Sequence, residues 1–285
     1  MKNYRAIFSL LLMAVFAVAA CRKSSNNDVV PDRDKVLTYK NVLYATDSLQ
    51  QVMDVYLPAN RDAVKTPIVI LIHGGGWRDG DKKDFDNDGL YTFFTSRGWA
   101  VVNMNYRLDT KYAYPAPIFD IGQAMDFIKQ KSAGWGINPD RICLFGRSAG
   151  AHLALTFAYG NNKDGRIKAV IDGYGPTNFV DSSVRYNKNI NTVVNELLGV
   201  YNVNESAWYD ASPVFHADQG VPTVIFQGTE DSVVHFKQAS MLQDSLLQHG
   251  IPCMFVTWNG YGHGWTQEKW EEWKVATYDW IKRFL

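Results

Sequence analysis

The chain has 285 residues, 46% of them hydrophobic, and its 29 basic residues are balanced by 29 acidic ones. That is enough apolar material for one large core. A formal charge of zero, with no basic run interleaved with aromatics, argues against a nucleic-acid or other polyanion-binding face. The aromatic share of 14%, with nine tryptophans, is high. It fits either large core residues or surfaces that take sugar or aryl ligands.

Lys2 and Arg5 precede an apolar run from Ile7 to Ala20, which is too short to span a bilayer and has the length of a signal h-region. It ends in Val18-Ala19-Ala20-Cys21, which resembles the bacterial lipoprotein box, where cleavage frees a cysteine for lipid attachment. On that resemblance residues 1–20 are a signal peptide, and Cys21 carries acyl chains that anchor the protein to a membrane of the cell envelope. The polar stretch 21–35 is a flexible tether, and residues 36–285 form the catalytic domain.

From Val36 to Leu57 two alternating segments read as an antiparallel start. The pattern then changes. PIVILIHGGG at 67–76 is an almost unbroken apolar run, as a strand buried on both faces requires. WAVVNMNY at 99–106 follows a short helix ending at Gly98, and Ile121, Met125 and Ile128 give 118–131 helical spacing. RICLFG is the next strand, followed by a helix opening near Ser148 and by IKAVIDGYG at 167–175. A long polar insertion precedes PTVIFQG at 222–228, a helix from about Phe236 to Gln248, PCMFVTW at 252–258 and a last helix with Trp270, Trp273, Thr277 and Trp280 on its packed face. Alternating strands and helices imply a single, mainly parallel eight-stranded sheet covered by helices on both faces. Ligands of such sheets bind outside the carboxyl ends of the strands.

The loops at those ends carry the chemistry. Gly146-Arg147-Ser148-Ala149-Gly150 has the spacing of a nucleophile elbow, a strand-to-helix turn so tight that side chains are not tolerated at the flanking glycines. His73-Gly74-Gly75-Gly76-Trp77 follows an earlier strand, and its main chain can turn N–H groups outward. Gly75, Gly76 and Ala149 are the expected oxyanion donors. The loop lacks the Lys-Ser/Thr of a phosphate-binding glycine loop. Asp231, three residues past Gly228, is the expected acid, with Glu230 and Asp172 as rivals. His263, between two glycines after the last strand, is the expected base. His73 and His152 read as structural, and His216, His235 and His249 as surface residues.

With these residues in place, the chain from about 40 onward resembles α/β-hydrolases of the carboxylesterase type. It is most similar to bacterial feruloyl/acetyl-xylan-esterase-like proteins and to relatives of hormone-sensitive lipase and kynurenine formamidase. The resemblance rests on HGGGW, NYRL at 105–108, Asp120, NPDRI at 138–142 and GRSAGAHLA at 146–154, in that order. It departs from the pattern at Arg147, often acidic or otherwise polar in relatives, and at Ala151, commonly a second glycine. The resemblance implies an α/β-hydrolase fold and a Ser148–His263–Asp231 triad that needs neither metal nor cofactor.

It also implies hydrolysis of short-chain or aryl esters, such as acetyl or feruloyl groups on glycans. An amide hydrolase using the same triad, and a catalytically silent glycan-binding homologue, stay open as alternatives. Trp77, Tyr261, Trp265 and Trp208 are candidate substrate-binding rings, with Phe179 and Tyr209 as further walls beneath an insertion that roofs the pocket. Arg147 reads either as a solvated arginine or as a partner for an anionic substrate group. DFDNDG at 84–89 resembles the start of a calcium loop, but its twelfth position is Thr95 rather than glutamate, so it reads as a solvated acidic loop. Cys143 and Cys253 lie on strands expected three positions apart, ~14 Å at ~4.8 Å per strand. That is beyond the reach of a disulfide, so both are expected as buried free thiols.

Overall fold

A computed structural model describes residues 32–199 and 205–285. The expected signal peptide, Cys21 and most of the tether lie outside the described residues. The strands are β1 (Leu37–Leu43), β2 (Val52–Leu57), β3 (Ile68–Ile72), β4 (Ala100–Met104), β5 (Ile142–Arg147), β6 (Ile167–Gly173), β7 (Thr223–Gly228) and β8 (Cys253–Trp258). They form one eight-stranded sheet in the order β1-β2-β4-β3-β5-β6-β7-β8. β1 pairs antiparallel with β2 and β2 with β4, while every pairing from β4 to β8 is parallel. The sheet is therefore mixed, with the antiparallel edge expected from the alternating start.

The apolar strands have no solvent face because both sides of the sheet are covered. Along β3, Ile68, Ile70 and Ile72 enter one hydrophobic cluster, while Val69 and Leu71 enter the other. The first cluster is closed by α2 (Ala116–Trp135), α3 (Ala149–Gly160) and α7 (Lys237–Gln248). The second is closed by α1 (Leu90–Thr95) and α8 (Gln267–Ile281). Full burial of an Ile, Leu or Val side chain contributes about 1.5–3 kcal/mol, so this double cover is what fixes the strand register.

The insertion after β6 is mostly helical, with α4 (Ser182–Arg185), α5 (Lys188–Leu198) and α6 (Glu205–Asp210). Its composition reads as polar, yet α5 is amphipathic, burying Ile190, Val194, Leu197 and Leu198 at helical spacing. Asn187 caps it by accepting the Asn189 N–H, and Gly199 ends it in the left-handed region. β5 and β8 are three positions apart and both cysteines are free, Cys143 buried and Cys253 half-buried.

Candidate active site

Parallel register brings the functional loops to one edge of the sheet. Ile72 pairs with Gly146, so the glycine loop after β3 leaves the sheet beside the turn after β5. Arg147 pairs with Gly173, and the Ser148 N–H donates to the Gly173 carbonyl at 2.7 Å. Gly228 pairs with Trp258, which sets the loops carrying Asp231 and His263 side by side.

Ser148 sits at the start of α3 with φ 50° and ψ −119°. A residue with a Cβ held there stores about 1–3 kcal/mol of strain, which the surrounding contacts must offset. The flanking glycines explain how the turn closes. A Cβ on Gly146 would lie 2.2 Å from the Gly150 carbonyl oxygen, and one on Gly150 would lie 2.1 Å from that of Ile72.

The strained turn projects the Ser148 hydroxyl to His263, whose Nε2 lies 2.9 Å from Oγ. On the other side of the ring, Nδ1 lies 2.8 Å from Asp231 Oδ2. Asp231 is buried and fully engaged. Its Oδ1 accepts the N–H groups of Val233 and Val234 at 2.9 and 2.8 Å, and its Oδ2 also accepts from Gln227 Nε2 at 2.8 Å. These bonds fix the carboxylate in place, so the geometry suits an acid that orients the imidazole.

Asp172, the rival acid, has no such link. It is buried at the end of β6, its Oδ1 accepts the Gly175 N–H at 2.8 Å, and its Oδ2 has no partner among the described residues. Burial pushes its carboxyl up to about 7, against the lowering effect of the Gly175 hydrogen bond. Glu230 uses its main chain here, donating its N–H to the Tyr261 carbonyl.

Gly75, Gly76 and Ala149 border the same cleft as Ser148 and His263, a space of about 530 Å³. Gly75 has φ 101° and Gly76 φ 59°, conformations that glycine adopts without penalty. None of the described residues accepts the N–H groups of Gly75, Gly76 or Ala149, so these donors are free to meet a negative oxygen. His73 lies beneath the loop, buried and stacked on Tyr106 at 4.3 Å. His152 is also structural. It accepts from Trp77 Nε1 at 3.2 Å, its Nε2 reaches the Ala211 carbonyl at 2.7 Å, and burial lowers it to about 4.

The aromatic expectations need correction. Trp77 borders the cleft, but its ring is 2% exposed and its N–H is committed to His152, so it is floor rather than a stacking platform. Trp208 is buried against Phe179 and does not reach the cleft. Trp265 stacks on Trp270 at 5.9 Å and meets Trp258 edge-on, and Tyr261 leans on Trp258; neither borders the cleft. Tyr209 pairs with Phe215 at the surface. The physical reason is shared. Large rings next to glycine-rich turns are drawn into the space those turns leave at the sheet edge, as when Trp265 packs where a Gly173 side chain would stand.

The walls come instead from smaller residues. Asn189, Ile190 and Val193 on α5, together with Pro176, Val233 and Val234, give the cleft an aliphatic lining. Asp84, Arg147 and Tyr174 give it a polar one. Tyr174 has φ 51° and packs edge-on against the His263 ring at 4.8 Å. Only the i, i+3 spacing of Ile190 and Val193 hinted at the first wall. Gln227, a polar residue at the end of the apolar run of β7, was the available signal for support of Asp231. In the acidic loop, Asp86 accepts from the Tyr91 hydroxyl and Asp88 pairs with Arg147. No cluster of metal-ligating side chains occurs among the described residues.

The fold and this geometry define an α/β-hydrolase with a hydrogen-bonded Ser–His–Asp chain beside a cluster of unused main-chain N–H groups. The chain belongs to the BD-FAE family, matching it over residues 53–246, a span that holds Ser148 and Asp231 and stops short of His263. It is 27% identical over 210 residues to the probable carboxylic ester hydrolase LipM of Mycobacterium tuberculosis, covering 69% of this chain and 48% of that one. It is 23% identical to esterase LipQ of the same organism, over 77% of this chain and 55% of the relative. The chain thus spans about half the length of the curated relatives it matches. Among solved structures it is similar to a truncated carbohydrate esterase from gut microbiota, with TM-score 0.72, 23% identity and coverage of 87% of this chain and 97% of that one. It is also similar to an esterase B from Lactobacillus rhamnosis bound to a tributyrin phosphonate, with TM-score 0.70, 20% identity and coverage of 87% and 86%. These likenesses show the fold.

Proposed function

We propose that the protein is a serine carboxylic ester hydrolase that removes short acyl groups from carbohydrates. The observation that carries this reading is the continuous relay from Ser148 Oγ through His263 to Asp231, at 2.9 and 2.8 Å, opening on the cleft bordered by Gly75, Gly76 and Ala149. Ser148 Oγ attacks the ester carbonyl as His263 Nε2 takes its proton, while Asp231 holds the ring and stabilises the imidazolium. The carbonyl oxygen becomes an oxyanion held by the free N–H groups, each such donor contributing roughly 3–4 kcal/mol. His263 then protonates the leaving alcohol, and water resolves the acyl-enzyme by the reverse proton path.

The lining of Ile190, Val193, Pro176, Val233 and Val234 is aliphatic, which suits acetyl to butyryl chains. A feruloyl group would be better served by a ring on that wall, and none of these residues supplies one. The carbohydrate alcohol is supported by the likeness to carbohydrate esterases and by the polar lining that Asp84, Arg147 and Tyr174 give the cleft. A lipid anchor on Cys21, placing the enzyme on the bacterial envelope where glycans are met, belongs to the same proposal.

The test is release of acetate from acetylated xylan and 4-nitrophenyl acetate, and of ferulate from methyl ferulate, by purified protein. Turnover of the acetates well above the ferulate is expected. Labelling by a fluorophosphonate without turnover of any of the three would overturn the substrate class, and no labelling at all would overturn the mechanism.

A further inference from the structure

The polar lining of the cleft is built in an unusual way. The Arg147 guanidinium lies between the rings of Phe85 and Trp265, 4.5 and 4.6 Å from their centroids. Its Nη1 pairs with Asp88 at 2.5 Å, while Nε and Nη2 are buried without a hydrogen-bond partner. Nε and Nη2 form one edge of the guanidinium fork, the edge that grips two oxygens at once. Leaving such donors unmet costs about 1–3 kcal/mol each, and Arg147 is among the residues that line the cleft.

Two further polar groups share the wall. Asp84 is exposed; its Oδ2 accepts the Asp81 N–H at 3.2 Å, and its other oxygen has no partner among the described residues. Tyr174 lies edge-on to His263, and its hydroxyl has no partner among the described residues. That contact puts the polar wall next to the imidazole that must protonate the departing alcohol.

The loop carrying Asp84 is held from below. Lys82 Nζ meets Asp54 Oδ1 at 3.0 Å with both side chains buried, and the Lys82 N–H donates to Asn105 Oδ1 at 2.6 Å. The wall is therefore set before substrate arrives, which lowers the ordering cost of binding.

Its charge discriminates between ligands. Asp84 and Asp88 outnumber the single Arg147, so an anionic leaving group would be repelled as much as drawn in. Adjacent hydroxyl groups, each donor and acceptor, match a wall that offers an arginine fork, a carboxylate and a phenol. We infer that Asp84, Arg147 and Tyr174 form the subsite for a neutral sugar on the leaving-group side, binding the ring hydroxyls next to the esterified oxygen. This rests on the carbohydrate-ester reading above.

The experiment compares wild type with Asp84→Ala, Arg147→Met and Tyr174→Phe on two acetates, a mono-O-acetyl methyl xyloside and 4-nitrophenyl acetate. The readout is the ratio of the two kcat/KM values, which cancels general damage to the machinery, with thermal melts confirming folding. Each variant is expected to lower the ratio, Asp84→Ala and Arg147→Met by about tenfold and Tyr174→Phe by a few-fold. If wild type cleaves the sugar acetate and all three variants keep its ratio within twofold, the subsite is overturned while the carbohydrate reading stands. If wild type cleaves 4-nitrophenyl acetate but not the sugar acetate, the carbohydrate reading falls and the subsite with it.

Discussion

Asp172 and Asp231 both stand near the elbow, and exchanging each for asparagine should produce opposite phenotypes. In Asp231→Asn the amide oxygen takes the two main-chain N–H groups of Val233 and Val234. The amide NH2 then faces His263 Nδ1, where an acceptor is needed. The ring must take the other tautomer, with its proton on Nε2 pointing at Ser148, and it can no longer act as base. The expected loss in kcat is about 10⁴-fold, roughly 5 kcal/mol.

Asp172→Asn touches no reacting group and should keep kcat within about fivefold. Its effect lies in stability. Burial pushes the Asp172 carboxyl up to about 7, from an ordinary value near 4 in the unfolded chain. Between those values the native state holds the extra proton, so stability falls as pH rises and the full penalty is present above pH 7. A shift of about 3 units is roughly 4 kcal/mol in total, of which roughly 2.5 kcal/mol falls between pH 5 and pH 8. Urea unfolding of wild type and Asp172→Asn at those two pH values measures it. The wild-type stability should drop by that much more than the variant's. Parallel pH dependences, or loss of activity in Asp172→Asn matching that in Asp231→Asn, would refute the assignment of the two carboxyls.

Gly150→Ala should yield little folded protein, because the added methyl would lie 2.1 Å from the Ile72 carbonyl oxygen and 2.3 Å from that of His73; expression and circular dichroism would check this. Lys82→Met strips the buried Asp54 of its buried cation, leaving the half-exposed Lys40. It should cost about 3 kcal/mol and lower Tm by roughly 6–12 °C, read by calorimetry. Val193→Trp narrows the aliphatic wall, so kcat/KM for 4-nitrophenyl butyrate should fall at least tenfold more than that for the acetate.

The elements of the relay were legible because each depends on short-range pattern. A serine between glycines at a strand end, a histidine between glycines after the last strand and three glycines after an apolar run each place a group without reference to distant residues. Parallel register then assembles them, since Ile72, Gly146, Gly173 and Gly228 all lie at the carboxyl ends of their strands. The walls were less legible. Whether Trp265 faces a ligand or Trp270 depends on packing among residues far apart in the chain, and composition carries no trace of it. Arg147 shows the same limit. Neither solvated nor free, it is clamped by Phe85, Trp265 and Asp88, three residues from two other segments. The polar look of the insertion hid the buried stripe of α5, whose Ile190, Val194, Leu197 and Leu198 are interrupted by polar residues.

The most direct test of the central claim is mass spectrometry of the protein after reaction with a fluorophosphonate, beside the same reaction on Ser148→Ala and His263→Ala. One adduct on the peptide carrying Ser148 is expected in wild type, with none in Ser148→Ala and labelling slowed at least a hundredfold in His263→Ala. Full labelling of Ser148→Ala at another residue, or undiminished labelling of His263→Ala, would contradict a nucleophile at Ser148 activated by His263.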